Sequence, residues 1–413
     1  MDQTLDSVLI ISQFYAPEPI GIPLYVTDFA RWLAERGAVV TVLTGRPYYP
    51  DFRLGPGYEG GKRDRETLDG VHVRRLPTYV PKGGRALGRL VNEAVCLVGA
   101  LASVLGSRSL RNRYVVSVVP TVFATYVAML ARRRGGRHVA VVYDIQSGLA
   151  SGLGMLGSGV LLKMIKKLET FALNRADAVI VLSDQMRKTL AQQGVRKRMA
   201  ILPLWLDLDM IRPMPPSNAD RPVVLYSGNL GQKQGLGQIL DLAEVLRCER
   251  PEVRVVVRGQ GSQAEPLKAN ASTRGLANVE FLPLVPLSEV NSALAEGDVH
   301  LVPQDPSGAD FAVPSKIYGI LAAGRPFVAT APAGSTLWRM HEETGAFLCT
   351  PFEDPRALAD AVIGLLDDPG RRAAMGAKGR AFAEATAGRD VVLGSYADLL
   401  QGRSLEPGDV GRA

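Results

Sequence analysis

Two stretches carry residues whose types and spacing suit phosphate chemistry. The first is Gly-Asn-Leu-Gly-Gln-Lys-Gln-Gly, residues 228–235, between an apolar run and a helical pattern. Its glycines let backbone approach an anion, and Lys233 adds charge where a diphosphate would sit. Ser227 and Gly228 open it, Asn229 follows, and Gly259 closes the next apolar run in the same way. The second is Val313–Thr330, in which Pro314-Ser315-Lys316 opens an apolar run that Gly324 stops. The first N–H groups of a helix are unpaired and its dipole is positive there, so Ser315 and Lys316 mark a second anion-binding step. Two lysines at two such steps suit a nucleotide diphosphate. The competing reading is two ordinary strand–helix turns with solvated lysines and Ser315 as a plain N-cap. The spacing is not a Walker A, since no Gly-Lys-Ser/Thr ends it, and no GxGxxG favours a dinucleotide.

Other chemistries find no constellation. The four histidines, His72, His138, His300 and His341, are dispersed, and the one Asp-x-Asp, Asp207–Asp209, lies in a proline-rich stretch. No metal or other cofactor is therefore expected. No GxSxG or Cys/His pair points to a hydrolase. The three cysteines show no metal spacing, which suits a reducing compartment.

The elements that must position these residues read as α/β. A length of 413 residues implies two or three domains, and 46% hydrophobic content is that of a globular protein. A net charge of +7 implies an anionic partner: nucleic acid, a phosphorylated small molecule or an acidic membrane surface. Nucleic acid is disfavoured, because no basic stripe is interleaved with aromatics. The N-terminus lacks the basic region and cleavage site of a signal peptide. Val8–Ser12, a Gly/Pro loop holding Gly21, a helix from Tyr25 to Arg36 and Val39–Leu43 make a βαβ unit. A long loop follows, in which Tyr48 and Tyr49 would stack on a sugar or pin the loop. Val115–Val119, Phe123–Arg134 and His138–Tyr143 repeat strand, helix and strand. Asp144 stands at that strand's C-terminal end, where α/β sheets place their sites. Residues 1–203 make the first domain, 204–222 a proline-rich linker, 223–390 a second α/β domain, and 391–413 a closing helix and tail.

Leu87–Leu105 is almost long and apolar enough to span a membrane. Arg89, Asn92, Glu93 and Ser103 interrupt it as a polar stripe, and Lys82, Arg85, Arg108, Arg111 and Arg113 flank it. Leu87, Leu90, Val91, Val98, Leu101 and Leu105 would face a bilayer interface, or the helix packs in the first domain's core. A full span is not expected, since βαβ patterning resumes at once. Val160–Phe171, with Lys163, Lys166 and Lys167, is either a solvated face or a second such patch.

Taken together, the N-terminal segment FYAPEPIGIPLYVTDFARWLAERGAVVTVLTGRPYYP, LETFALNRADAVIVLS at 168–183, YSGNLGQKQGL at 226–236, and VPSKIYGILAAGRPFVAT resemble family 4 glycosyltransferases. The similarity is strongest to the branch active in colanic-acid, exopolysaccharide and O-antigen assembly. The resemblance implies a GT-B fold of two Rossmann-like domains facing across a cleft, and a retaining, metal-independent transfer. It implies that Lys233 and the Ser315–Lys316 backbone hold the donor diphosphate and that Gly21 lets the N-terminal loop reach its phosphate. Asn229 stands where many members carry Arg, and Asp144 lies in the region that contacts the transferred sugar. The chain departs from the family at Gly319, where a ribose-binding Glu is common, and at Phe311, with Asp310 beside it. Gln234 also intervenes in the usual Lys-Gly step. The implied activity moves a hexose from a nucleotide-diphospho-sugar to a polyprenyl-diphosphate-linked saccharide. The implied location is the cytoplasmic face of a bacterial plasma membrane, held peripherally. A nucleotide-sugar 2-epimerase and a non-catalytic membrane- or partner-binding scaffold are the alternatives.

Overall fold

A computed structural model describes residues 5–19, 21–81, 86–119, 122–145, 159–215, 221–231, 234–305, 314–352 and 354–403. Lys233, Asp310 and Phe311 lie outside these residues. The chain forms two compact units. Residues up to Pro203 make one, joined by the segment from Asp390 onward, and Leu204–Arg389 make the other.

The first unit is built on β-branched runs. β1 (Ser7–Ile11), β2 (Val39–Gly45), β3 (Arg65–Leu68), β4 (Val71–Leu76), β5 (Asn112–Val119), β6 (Arg132–Val142), β7 (Ala178–Val181) and β8 (Met199–Ile201) form one sheet. Its order is β3-β4-β2-β1-β5-β6-β7-β8, and only β3 runs antiparallel. The central runs are apolar at nearly every position because helices cover both faces of such a sheet. The helical pattern read over Phe123–Arg134 ends sooner than expected, at Ala131, and β6 begins at Arg132. Arg132 pairs with Asn112 and Arg137 with Tyr114, and the register shift between them is where Gly135 has φ +75° and a Cβ on Gly136 would overlap the Arg113 carbonyl oxygen.

The helix Ala86–Gly106 is partly core. Cys96, Ala100 and Val104 pack with Leu9, Ile11, Leu43 and Leu76 of the sheet. Asn92, expected in a polar stripe, is instead fully buried and hydrogen-bonded. Val91, Val98 and Leu105 recur every seven residues and are exposed, Val98 by 67%. Leu101 is half-buried against the core, which corrects its place on an outward face. The side chains of Leu87 and Leu90 are not described. Among the described residues no helix is long and apolar enough to cross a membrane.

The second unit holds β9 (Val223–Asn229), β10 (Arg254–Gln260), β11 (Val279–Leu282), β12 (Val299–Val302), β13 (Phe327–Thr330) and β14 (Leu348–Thr350). All pairs are parallel, in the order β11-β10-β9-β12-β13-β14. This is the doubly wound nucleotide-binding order, and it reverses direction between β9 and β12. The proline-rich stretch is tied along this unit by two arginines. Arg380 donates to the Ile211 and Ala322 carbonyls at 2.7 and 2.9 Å, and Arg325 to those of Met214 and Pro215 at 3.0 Å.

Candidate functional site

The reversal between β9 and β12 opens a crevice beyond the strands' C-terminal ends. Ser227, Gly228 and Asn229 end β9 there. The helix Lys316–Ala322 starts after β12 and carries Lys316 to the same place. The Lys316 ammonium lies 3.6 Å from the centroid of the Tyr226 ring. Gly228 has φ +140°, and a Cβ on it would stand 3.3 Å from Lys316 Cε and Nζ. The positive φ favours glycine, and a Cβ would have to displace the end of the Lys316 side chain by a few tenths of an ångström. Tyr226 is itself buried, and its hydroxyl donates to the Asn229 carbonyl at 2.6 Å.

Lys316 Nζ is buried and has no hydrogen-bond partner among the described residues. Burial pushes its pKa down to about 7. A desolvated cation over an aromatic face gains about 2 kcal/mol, whereas stripping an ammonium of water costs several kcal/mol. The ring alone therefore does not repay the burial. An arriving anion would, and an anion would also restore the proton.

The other residues expected at this end divide. At Gly259 a Cβ would overlap the Gly228 carbonyl oxygen, so glycine is needed there for strand packing. Ser315 occupies the cap position with helical angles and makes no cap hydrogen bond, so it is not a plain N-cap either, and it is exposed. Ser227 and Asn229 are half-buried. Gly319 is half-buried with no atom within 4 Å of where its Cβ would be.

In the first unit, β1 ends in a loop that runs to Gly21. Gly21 has φ +79° and ψ −140° and caps the helix Ile22–Glu35, which starts three residues before the expected Tyr25. No atom lies within 4 Å of its missing Cβ, so the backbone is open to a ligand. Asp144 follows β6 and is half-buried. Beneath it Tyr143 is buried, stacked 6.1 Å from Tyr25 and near Tyr396 of the closing helix.

Tyr48 is not a sugar-stacking residue. It is buried, and its hydroxyl accepts from Asn92 Nδ2 at 3.2 Å and Gln13 Nε2 at 3.4 Å. It pins the loop; Tyr49 stays half-buried. Two residues that the sequence did not single out organise this loop. Glu18 is buried and accepts the backbone N–H groups of Tyr48 and Tyr49 at 3.0 and 2.9 Å. Burial pushes its carboxyl up to about 7, against the pull of those two N–H groups and of Arg75. Arg75 donates to the carbonyls of Ala16 and Gly45 and pairs with Glu66 at 2.6 Å. A Glu between two prolines was the one available signal, and nothing local names its partners. The histidines are structural where buried: His138 bonds Ser117 and His300 bonds the Leu294 carbonyl, and burial lowers both, to about 3 and about 4.

A parallel sheet reversing at a buried lysine, after a first unit also built on a largely parallel sheet, is a two-unit α/β plan with an anion-binding step in the second unit. Comparison with known proteins narrows this. Residues 21–205 match the glycosyl transferase 4-like domain, and residues 209–382 match glycosyl transferases group 1. WcaI of Escherichia coli (strain K12), named for colanic acid biosynthesis as a glycosyl transferase, is 31% identical over 412 residues, covering 96% of this chain and 100% of that protein. Among solved structures, sucrose-phosphate synthase from Thermosynechococcus elongatus superposes with a TM-score of 0.74 at 18% identity, covering 96% of this chain and 98% of that one. HepE of Anabaena in complex with UDP-glucose gives 0.68 at 17% identity, covering 96% and 99%. The chain belongs to the family 4 glycosyltransferases of GT-B fold, in the exopolysaccharide branch. It is a glycosyltransferase of polysaccharide biosynthesis.

Proposed function

We propose that the protein transfers a hexose, with retention, from a nucleotide-diphospho-sugar to a polyprenyl-diphosphate-linked saccharide. The observation that carries this is the buried Lys316 ammonium at the β9–β12 reversal, which has no hydrogen-bond partner among the described residues. A diphosphate placed there meets a desolvated cation whose charge grows in value as the sugar–phosphate bond breaks. Stabilising the leaving diphosphate is the task a metal performs elsewhere, and Lys316, with Lys233, takes it here without one. In the first unit the backbone at Gly21 is open on the side of its missing Cβ, and Asp144 is half-buried after β6. The UDP-glucose bound in the HepE structure supports a nucleotide-sugar donor.

The acceptor's lipid places the work at a membrane. Exposed Val91, Val98 and Leu105 run down one helix toward exposed Arg108, Arg111 and Arg113, and Met164, Leu168 and Phe171 are exposed on another beside Lys163 and Lys167. Apolar side chains with basic neighbours suit the inner, anionic face of a bacterial plasma membrane. The test is incubation of the protein with UDP- and GDP-sugars and a lipid-linked acceptor in detergent, with and without EDTA. Transfer that survives EDTA and retains the anomeric configuration is expected. Absence of transfer and of nucleotide binding across the panel would overturn the proposal.

A further inference from the structure

The loop that Glu18 holds carries more than Tyr49. Phe14, Tyr49 and Phe52 are all half-buried, with ring centroids 6.1 Å apart for Phe14–Tyr49 and 6.0 Å for Tyr49–Phe52. Phe14 comes from the Gly21 loop and the other two from the loop after β2. Phe52 has φ +52°, a conformation that a bulky side chain adopts only where its surroundings hold it. Tyr49 and Phe52 meet edge to face at 83°, so the edge of one ring packs on a face of the other and the opposite face of that ring is not used by the pair. The three partly exposed aromatics stand together at the C-terminal edge of the parallel sheet.

The support beneath them is buried and polar. Glu18, 5% exposed, uses one carboxyl oxygen for two successive backbone N–H groups of the aromatic loop. Arg75 clamps Ala16 at the root of one loop and Gly45 at the root of the other, at 2.6 and 3.3 Å. Tyr48, between Pro47 and Tyr49, is fastened by Gln13 and Asn92. Water would satisfy those two N–H groups on an ordinary surface loop at no cost, whereas a buried carboxylate is expensive. What the carboxylate secures is position.

We infer that Phe14, Tyr49 and Phe52 form a platform for a pyranose ring of the acceptor saccharide, and that Glu18 is its positioning residue. The C–H face of a sugar packs on such rings, and a platform on one rigid pair of loops presents the acceptor hydroxyl in a fixed place relative to Gly21. The acceptor's identity as a saccharide rests on the function proposed above.

Steady-state kinetics on Phe52→Ala, Glu18→Ala and Glu18→Gln tests this, with donor and acceptor varied separately. Phe52→Ala and Glu18→Ala should each raise the acceptor KM about tenfold and leave the donor KM unchanged, since lost positioning acts on one substrate. Glu18→Gln keeps an oxygen that accepts both N–H groups and should restore the wild-type acceptor KM. Amide exchange at Tyr48 and Tyr49 should quicken in Glu18→Ala alone. An unchanged acceptor KM in Phe52→Ala, or equal changes in both KM values, overturns the inference while leaving the transferase reading intact. Should the wild-type protein transfer nothing, saturation-transfer NMR with methyl hexopyranosides decides. A signal from the wild type that Phe52→Ala loses sustains the platform, and equal signals, or none, refute it.

Discussion

At the scale of the residue, Lys316 sets the chemistry and its pH dependence. Its pKa in the free protein lies near 7, below the ordinary 10.5, because burial disfavours the charge. A bound diphosphate favours the charged form, so binding takes up a proton above pH 7. Affinity for UDP or GDP should therefore fall as pH rises from about 7.5 to 9, a window above the phosphate's own titration. Titration calorimetry at several pH values should show this slope in the wild type and a weak, flat response in Lys316→Met. The sign for stability is the reverse of donor affinity. Between about pH 7 and 10.5 the unfolded chain holds a proton on Lys316 that the folded chain has shed, so this residue's contribution to stability improves as pH rises through that window. Lys316→Met should remove that gain, and denaturant melts of the unliganded protein at pH 6.5 should show the variant to be the more stable. In transfer, Lys316→Ala should cost roughly 2–4 kcal/mol of barrier with folding intact, as loss of one oxyanion donor does. Gly319 offers a gain: the space around its Cβ is open, and Gly319→Glu should fold normally and tighten nucleotide binding if a ribose lies there. An unchanged dissociation constant would place the ribose elsewhere.

At the scale of the element, strands and helices were legible and loop contacts were not. Runs such as Val8–Ile11 and Val115–Val119 are β-branched and become fully buried strands, so composition alone betrays them. At Gly228 the positive φ and the close approach of Lys316 suit the glycine that the sequence places there. Gly259 looked the same in sequence, and its crowded Cβ position against the Gly228 carbonyl was not legible, because a missing side chain does not say what fills its place. The sequence left Tyr48 open between stacking on a sugar and pinning the loop for a related reason. Its partners Gln13 and Asn92 lie 35 and 44 residues away, and Glu18 reaches it across 30. Periodicity reports on faces, and such contacts leave no trace in it. The helix Ala86–Gly106 shows both sides of this limit. Its apolar character was legible, but only the fold separates Cys96, Ala100 and Val104, in the core, from Val98 and Leu105, which are exposed by 67% and 64%. The separation makes a prediction. Val98→Asp with Leu105→Asp removes no core contact, so the melting temperature should hold within a few degrees. Co-sedimentation with vesicles containing anionic lipid should fall markedly, since each lost apolar anchor removes about 1.5–3 kcal/mol of burial. Equal sedimentation of variant and wild type would remove this face from the membrane.

At the scale of the whole molecule, the closing helix Arg389–Gln401 matters out of proportion to its length. It completes the first unit although the second unit intervenes in the chain. Val392, Leu393, Tyr396, Leu399 and Leu400 are all buried on it, and Tyr396 meets Phe29 edge to face at 5.3 Å. Its start is fastened as well: Asp390 accepts from Trp32 Nε1 at 2.6 Å and from Arg36 at 2.8 Å. Burying five large side chains contributes about 1.5–3 kcal/mol each, and their sum rivals the 5–15 kcal/mol that holds a typical domain together. The same helix puts Tyr396 against Tyr143, next to Asp144, so fold and site depend on it together. Residues 1–203 alone should therefore be poorly soluble and melt with little cooperativity. The same residues joined by a flexible linker to 389–403 should give a cooperative circular-dichroism melt, because the missing layer of core is restored. Equal, cooperative melts for both would show that the helix is dispensable to the first unit, and its conjunction with Tyr143 would then be incidental to the site.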